Sequence, residues 1–222
     1  MVPGTAGGLF VKSVHMEWTL LTQIIEMGGE SMIEQEIRLG FQFCSYLLSY
    51  PNQEFIESLE DLQEELDSLS NSKLKEELQQ FLNKATILST ADFISTYVDT
   101  FDFGKKTNLY VTYMTNGEQR ERGMDLLFLK NYYKLHGFHV TDKELPDYLP
   151  VMLEFASQVE QETFRPIFDR YLENIKEIES KLDPKQNLYG HIMKAMMLAL
   201  KEAGITKAVR RSEEICTNSF YG

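Results

Sequence analysis

The sequence predicts an all-α protein built as a single irregular helical bundle. Three observations predict it. Apolar residues recur at steps of three and four along most of the chain, which places them on one face of a helix. Clear runs of alternating apolar and polar residues, the mark of a half-buried strand, are missing from the sequence. A chain of 222 residues with 43% hydrophobic content can fill one sizeable core without a second domain.

The first stripe runs from Glu34 to Ser49 through Ile37, Phe41, Cys44, Leu47 and Leu48, and Pro51 closes it. Phe55, Ile56, Leu59, Leu62, Leu66 and Leu69 predict a second helix over 53–69. Leu74, Leu78, Phe81, Leu82 and Ala85 make a third. Ser89, with Asp92 three residues on, reads as the cap of a short helix carrying Phe93, Tyr97 and Val98. Tyr110 to Tyr113 has strand character but no partner strand, and a lone strand is not viable. Asn116-Gly117 reads as a turn. Met124, Leu127, Leu129, Tyr132 and Tyr133 predict a helix that Gly137 ends. A loop over 138–147 follows, then a helix over 148–158. The longest stripe runs from Phe164 to Leu182, where Asp183-Pro184 breaks it. Leu188, Ile192, Met196, Leu198 and Ala199 give the last helix.

These elements divide the chain into an N-terminal extension (1–31), a helical domain (32–204) and a flexible polar tail (205–222) that packs little against the core. The extension has two readings. Gly28-Gly29-Glu30-Ser31-Met32 can be encoded by a ribosome-binding sequence, a spacer and a start codon, which would put the true start at Met32. Alternatively Trp18, Leu21, Ile24 and Ile25 make 14–27 a genuine amphipathic helix.

The net charge of −12 repels phosphate backbones and excludes a nucleic-acid partner, while favouring a basic peptide or protein face. Two isolated cysteines, Cys44 and Cys216, form no disulfide framework and fit a reducing compartment. No apolar run reaches the ~18 residues of a membrane span, and residues 1–8 do not read as a secretory signal, so a cytoplasmic protein is expected.

Chemistry-bearing motifs are scarce. His136 and His139 lack the further ligands of a metal site, so none is assigned. Asp102-Phe103-Gly104 spells the kinase metal motif without its companion loops. No phosphate loop, dinucleotide fingerprint or nucleophile elbow is present, and no catalytic residue is assigned. Residues 53–68 hold Glu54, Glu57, Glu60, Asp61, Glu64, Glu65 and Asp67 without Lys or Arg. They read as a solvated face or as an acidic rim for a basic partner. In Glu144-Leu145-Pro146-Asp147-Tyr148-Leu149-Pro150, Pro146 fixes the chain, Asp147 is placed as an N-cap, and Pro150 suits the first helical turn. A rigid helix entry beside a loop is a good place for a groove.

Four segments together carry a family resemblance: Tyr97-Val98-Asp99-Thr100-Phe101-Asp102, Leu109-Tyr110-Val111-Thr112-Tyr113, Gly117-Glu118-Gln119-Arg120-Glu121-Arg122-Gly123, and 144–155. In order and spacing they resemble the nitrate reductase delta subunit (the NarJ-type chaperones), over roughly Ile33 to Leu200. The Glu-x-Pro-Asp core is also similar to the wider family of molybdoenzyme maturation chaperones. There His commonly follows the Asp, whereas Tyr148 follows here.

The resemblance implies an all-helical chaperone, not an enzyme, with no cofactor of its own and a role in nitrate respiration or assimilation. Such a chaperone binds the apo catalytic (alpha) subunit of respiratory nitrate reductase by an N-terminal helical peptide. It keeps that subunit competent for molybdenum cofactor insertion and complex assembly. Cofactor-delivery proteins are further implied partners. The peptide-binding residues then fall at Glu144, Pro146, Asp147, Tyr148 and Leu153, with Tyr97, Phe101, Tyr110 and Tyr113 as aromatic lining. Arg120, Arg122 and Gly123 fall in a structural turn, with Arg122 able to pair with Asp125. Two alternatives remain: a chaperone for another molybdoenzyme, such as a dimethylsulfoxide or selenate reductase, and a helical enzyme acting on a small substrate.

Overall fold

Ser31 opens the fold by capping the first helix: its hydroxyl accepts from the Glu34 amide, and the Glu34 carboxylate accepts from the Ser31 amide at 3.0 Å. The computed structural model describes residues 31–70, 72–103, 107–113, 119–141 and 143–208. The expected readings of 1–30, of the Asn116-Gly117 turn and of the chain beyond Ala208 lie outside the described residues.

Among the described residues the helices are α1 (Met32–Leu47), α2 (Gln53–Glu57), α3 (Leu59–Glu65), α4 (Ser72–Ala85), α5 (Thr90–Tyr97), α6 (Gln119–Leu135), α7 (Leu149–Ser157), α8 (Gln161–Glu179) and α9 (Tyr189–Glu202). These residues form no sheet; Tyr110 and Tyr148 share one isolated antiparallel bridge. The fold is all-α, as its spacing predicts.

Helix α1 is the central element. It packs on α7 on one side and on α9 on the other, and α9 packs in turn on α4. Its buried polar residues tie it to α7: Ser45 donates to the Pro150 carbonyl at 2.8 Å and Arg38 Nε to the Ser157 carbonyl at 2.9 Å. Helices α4, α5 and α9 meet through rings, with Phe81, Phe93, Tyr97 and Phe101 gathered around Tyr189. Gly137, at φ 84°, takes the left-handed conformation that closes α6.

Two departures from the predicted elements have local causes. The helix expected over 53–69 is divided at Ser58, between α2 and α3. The Ser58 hydroxyl donates to the Phe55 carbonyl at 2.8 Å, a local competitor for an acceptor that the next helical turn needs, and it meets the Tyr46 hydroxyl of α1 at 2.7 Å, a tertiary contact that holds the serine there. The segment expected to pack little begins with Ile205, which is buried. Arg165 donates to the Ala203 carbonyl and Lys176 Nζ to the Thr206 carbonyl at 3.5 Å, so the core extends past Gly204. Among the described residues no helix is long and apolar enough to cross a membrane.

Candidate functional site

The 144–149 segment approaches α7 through a turn, and the strap 107–113 lies against it. The Val111 amide donates to the Asp147 carbonyl at 2.9 Å, and the Leu149 amide to the Leu109 carbonyl at 2.8 Å. From α6, Tyr133 donates to the Pro146 carbonyl at 3.0 Å. From α8, Asn174 donates to the Val111 carbonyl at 2.8 Å. Segments far apart in sequence thus hold one turn.

Tyrosines extend from that turn to the surface. The Tyr148 ring packs on Tyr110 at 5.2 Å, and its hydroxyl meets the Tyr97 hydroxyl at 3.0 Å. Tyr97 also donates to the Leu48 carbonyl at the end of α1, and its ring stands edge-on to Tyr50 at 5.4 Å. The half-buried Tyr110 donates to Glu144 at 2.6 Å. Beyond Tyr97 the chain widens into a π turn, Val98–Asp102, closed by the Phe103 amide on the Val98 carbonyl. This turn sets Asp102 and Phe103 on the surface.

Burial raises the Tyr97 and Tyr148 phenols well above their ordinary range. The negative charges of Asp102 and Glu144 add to the effect on both. Tyr110 is raised first by burial and then by its bond to Glu144. The accessible rings of Tyr50 and Tyr110 therefore rest on a buried layer of neutral phenols and are edged by carboxylates, an arrangement suited to a cation carried on an apolar segment.

The predicted site residues separate into a surface and its support. Glu144 and Tyr110 are half-buried, and Tyr113 is 58% exposed. Pro146, Leu153, Phe101, Tyr97 and Tyr148 are buried and hold the surface from beneath. Sequence reasoning missed Tyr50, Leu145 and Phe103, which are exposed at 54%, 42% and 76%. The signal available for Tyr50 was its place between the α1 stripe and Pro51, where an aromatic has no core position to fill.

Three expectations are corrected. Asp147 does not cap α7: the N-cap is Tyr148, without a side-chain cap bond. Asp147 is instead 0% exposed and accepts from the Thr112 hydroxyl at 2.6 Å and the Thr112 amide at 3.3 Å. Arg120, Arg122 and Gly123 lie in the first turns of α6 and not in a separate turn, because Asp125, Leu129 and Tyr133 anchor that helix to the core. Arg122 does not pair with Asp125. It approaches Asp147 at 3.6 Å and the Tyr113 ring at 5.6 Å, while Asp125 takes Arg170 at 2.6 Å and Tyr171 at 3.1 Å. Among the described residues no group of side chains assembles that could hold a metal.

Burial also raises Tyr133, Tyr171 and Tyr189. With folded values above the unfolded value of about 10, these phenols contribute stability that is fully present below about pH 10 and lost as pH rises further. The melting temperature should hold from neutral to about pH 9 and fall steeply above about pH 10. A melting temperature unchanged at about pH 11.5 would show that the phenols ionise in place.

A family profile described as "Nitrate reductase delta subunit" matches residues 63–191. A Bacillus subtilis protein, "Probable nitrate reductase molybdenum cofactor assembly chaperone NarJ", is 44% identical over 172 residues, covering 78% of this chain and 94% of that protein. The Escherichia coli "Nitrate reductase molybdenum cofactor assembly chaperone NarJ" is 31% identical over 119 residues, 53% of this chain and 50% of its own length. "Nitrate reductase-like protein NarX" of Mycobacterium tuberculosis is 33% identical over 156 residues, 70% of this chain but 23% of its own length. The profile takes in the π turn, the strap, and the turn before α7, and the Bacillus protein is matched over nearly its whole length. The chain belongs to the nitrate reductase delta subunit family.

Proposed function

We propose that this protein is an assembly chaperone for nitrate reductase. In this reading it works in the cytoplasm, holds the apo catalytic subunit by a cationic N-terminal helical segment, and keeps it competent for molybdenum cofactor insertion. The names of the relatives support the chaperone role. The observation that supports the peptide mode is the pair of accessible rings Tyr50 and Tyr110, carried on the buried Tyr97–Tyr148 pair, with Glu144 and Asp102 at their edge. An amphipathic helix laid there would bury its apolar side on rings and set Lys or Arg against the carboxylates.

Titration calorimetry with the N-terminal peptide of the catalytic subunit tests this. Each of Glu144→Gln and Asp102→Asn should weaken binding by about 0.5–1 kcal/mol, an effect that fades at high salt. Glu57→Gln, on the exposed acidic face of α2, should change little. If Glu57→Gln weakened the peptide as much as Glu144→Gln, the site would lie on the 53–68 face.

A further inference from the structure

A second surface has the opposite sign. An open groove of about 650 Å3 lies where α4 and α9 meet the end of the described chain. Lys73, Lys176, Lys194 and Lys201 line it, in a protein whose net charge is −12. Its carboxylates are Glu76 and Glu77; Glu77 takes His191 Nδ1 at 2.7 Å and Lys194 at 3.6 Å, and Lys176 is paired with Glu173 at 2.9 Å, so the uncompensated positive charge rests on Lys73 and Lys201. Lys73 and Lys201 are exposed, and their ammonium groups make no hydrogen bond or ion pair among the described residues. The floor is apolar: Met197 and Leu198 are half-buried and Ile205 is buried.

We propose that this groove is a docking site for an acidic, amphipathic peptide segment of a protein partner. The observations that carry the proposal are the local reversal of charge and the apolar floor between the lysines. A bare polyanion such as RNA would use the lysines but leave Met197 and Leu198 unpaired. A segment with carboxylates on one side and aliphatic side chains on the other uses both. Methionine suits such a floor because its unbranched side chain adapts to different partners.

The site is distinct from the tyrosine face. Tyr189, at the start of α9, packs on Tyr97 and Phe101 beneath that face. The groove lysines of α9 lie about 8–18 Å further along the same helix axis. The protein would thus hold a cationic segment at one end of α9 and an acidic one towards the other.

The test uses the full chain and a labelled synthetic peptide with glutamate on one helical face and leucine on the other, followed by fluorescence anisotropy. This peptide should bind, and the double variant Lys73→Gln/Lys201→Gln should weaken it about fivefold or more, at an unchanged melting temperature because both side chains are exposed and outside any ion pair among the described residues. Asp102→Asn/Glu144→Gln should leave it unaffected, which separates this site from the cationic-peptide face. A peptide with serine in place of leucine should bind more weakly. The proposal is overturned if the glutamate–leucine peptide does not bind, or if it binds the double variant equally well. It is also overturned if the serine peptide or a single-stranded oligonucleotide binds as tightly as the leucine peptide.

Discussion

Replacing Asp147 by alanine should destabilise the fold by about 2–4 kcal/mol, measured by denaturant unfolding. The carboxylate is fully buried, and one of its oxygens receives both the hydroxyl and the amide of Thr112. Removing it leaves two buried donors without an acceptor and strands the Arg122 guanidinium, which stands 3.6 Å away. Each orphaned group costs about 1–3 kcal/mol. The other carboxylate oxygen, Oδ1, has no hydrogen-bond partner among the described residues, so the site is not fully compensated and the loss should not reach the top of that range for every group. Asp147→Asn keeps an acceptor for Thr112 and should cost less than half as much. If the alanine variant were as stable as the native chain, the strap 107–113 would not depend on this carboxylate. A charge on the surface would produce the reverse pattern, with peptide affinity lost and stability kept.

The second large effect is expected at Gly190. A Cβ there would collide with the Leu182 carbonyl oxygen and lie 2.7 and 2.9 Å from the nitrogen and Cα of Pro184. All three are backbone atoms, so no side chain can swing aside. Gly190→Ala should therefore cost about 3 kcal/mol, at the upper end of overpacking effects. The damage should spread, because the neighbours of Gly190 are structural on both sides. Tyr189 fills the ring cluster, and His191 is held between Glu77 and Lys84, which itself donates to the Pro184 carbonyl at 2.9 Å. Gly123→Ala is the matched control. Its Cβ would meet nothing within 4 Å and it sits inside α6, so alanine there should be neutral or add up to about 1 kcal/mol. Equal effects of the two substitutions on the melting temperature would contradict the close approach at Gly190.

The helices were legible where one face is continuously apolar. Phe164, Ile167, Phe168, Tyr171, Leu172, Ile175 and Ile178 recur at helical spacing, and all are buried along α8. Positions set by distant partners were not legible. At Ser58 the bond to the Phe55 carbonyl is local, but the Tyr46 contact that accompanies it comes from α1, twelve residues away, and the pattern of 53–69 does not record that partner. The role of Asp147 was misread for the same reason. Its place after Pro146 suits a cap, but its acceptor oxygen is taken by Thr112, thirty-five residues earlier. Arg122 and Asp125 are spaced to pair along a helix, yet Asp125 faces inward to Arg170 and Arg122 follows Asp147. The four segments that carry the family resemblance do converge in part: 97–102, the strap and the turn before α7 meet at the tyrosine face. Local pattern thus indicated which segments belong together, while the partner of each polar atom depended on long-range packing.

The tyrosine face is supported entirely by core residues. Tyr97 and Tyr148 are buried, and their shared bond joins the end of α1 to the start of α7. In the language of linkage, the face and the native state are a single thermodynamic species, because the rings that carry the face belong to the core. Any ligand of the face, present at a hundred times its dissociation constant, would raise the unfolding free energy of the entire domain by about 2.7 kcal/mol. The folded population of such a chaperone would then rise with the supply of its client, and the chain would be most open to proteolysis when it has nothing to hold.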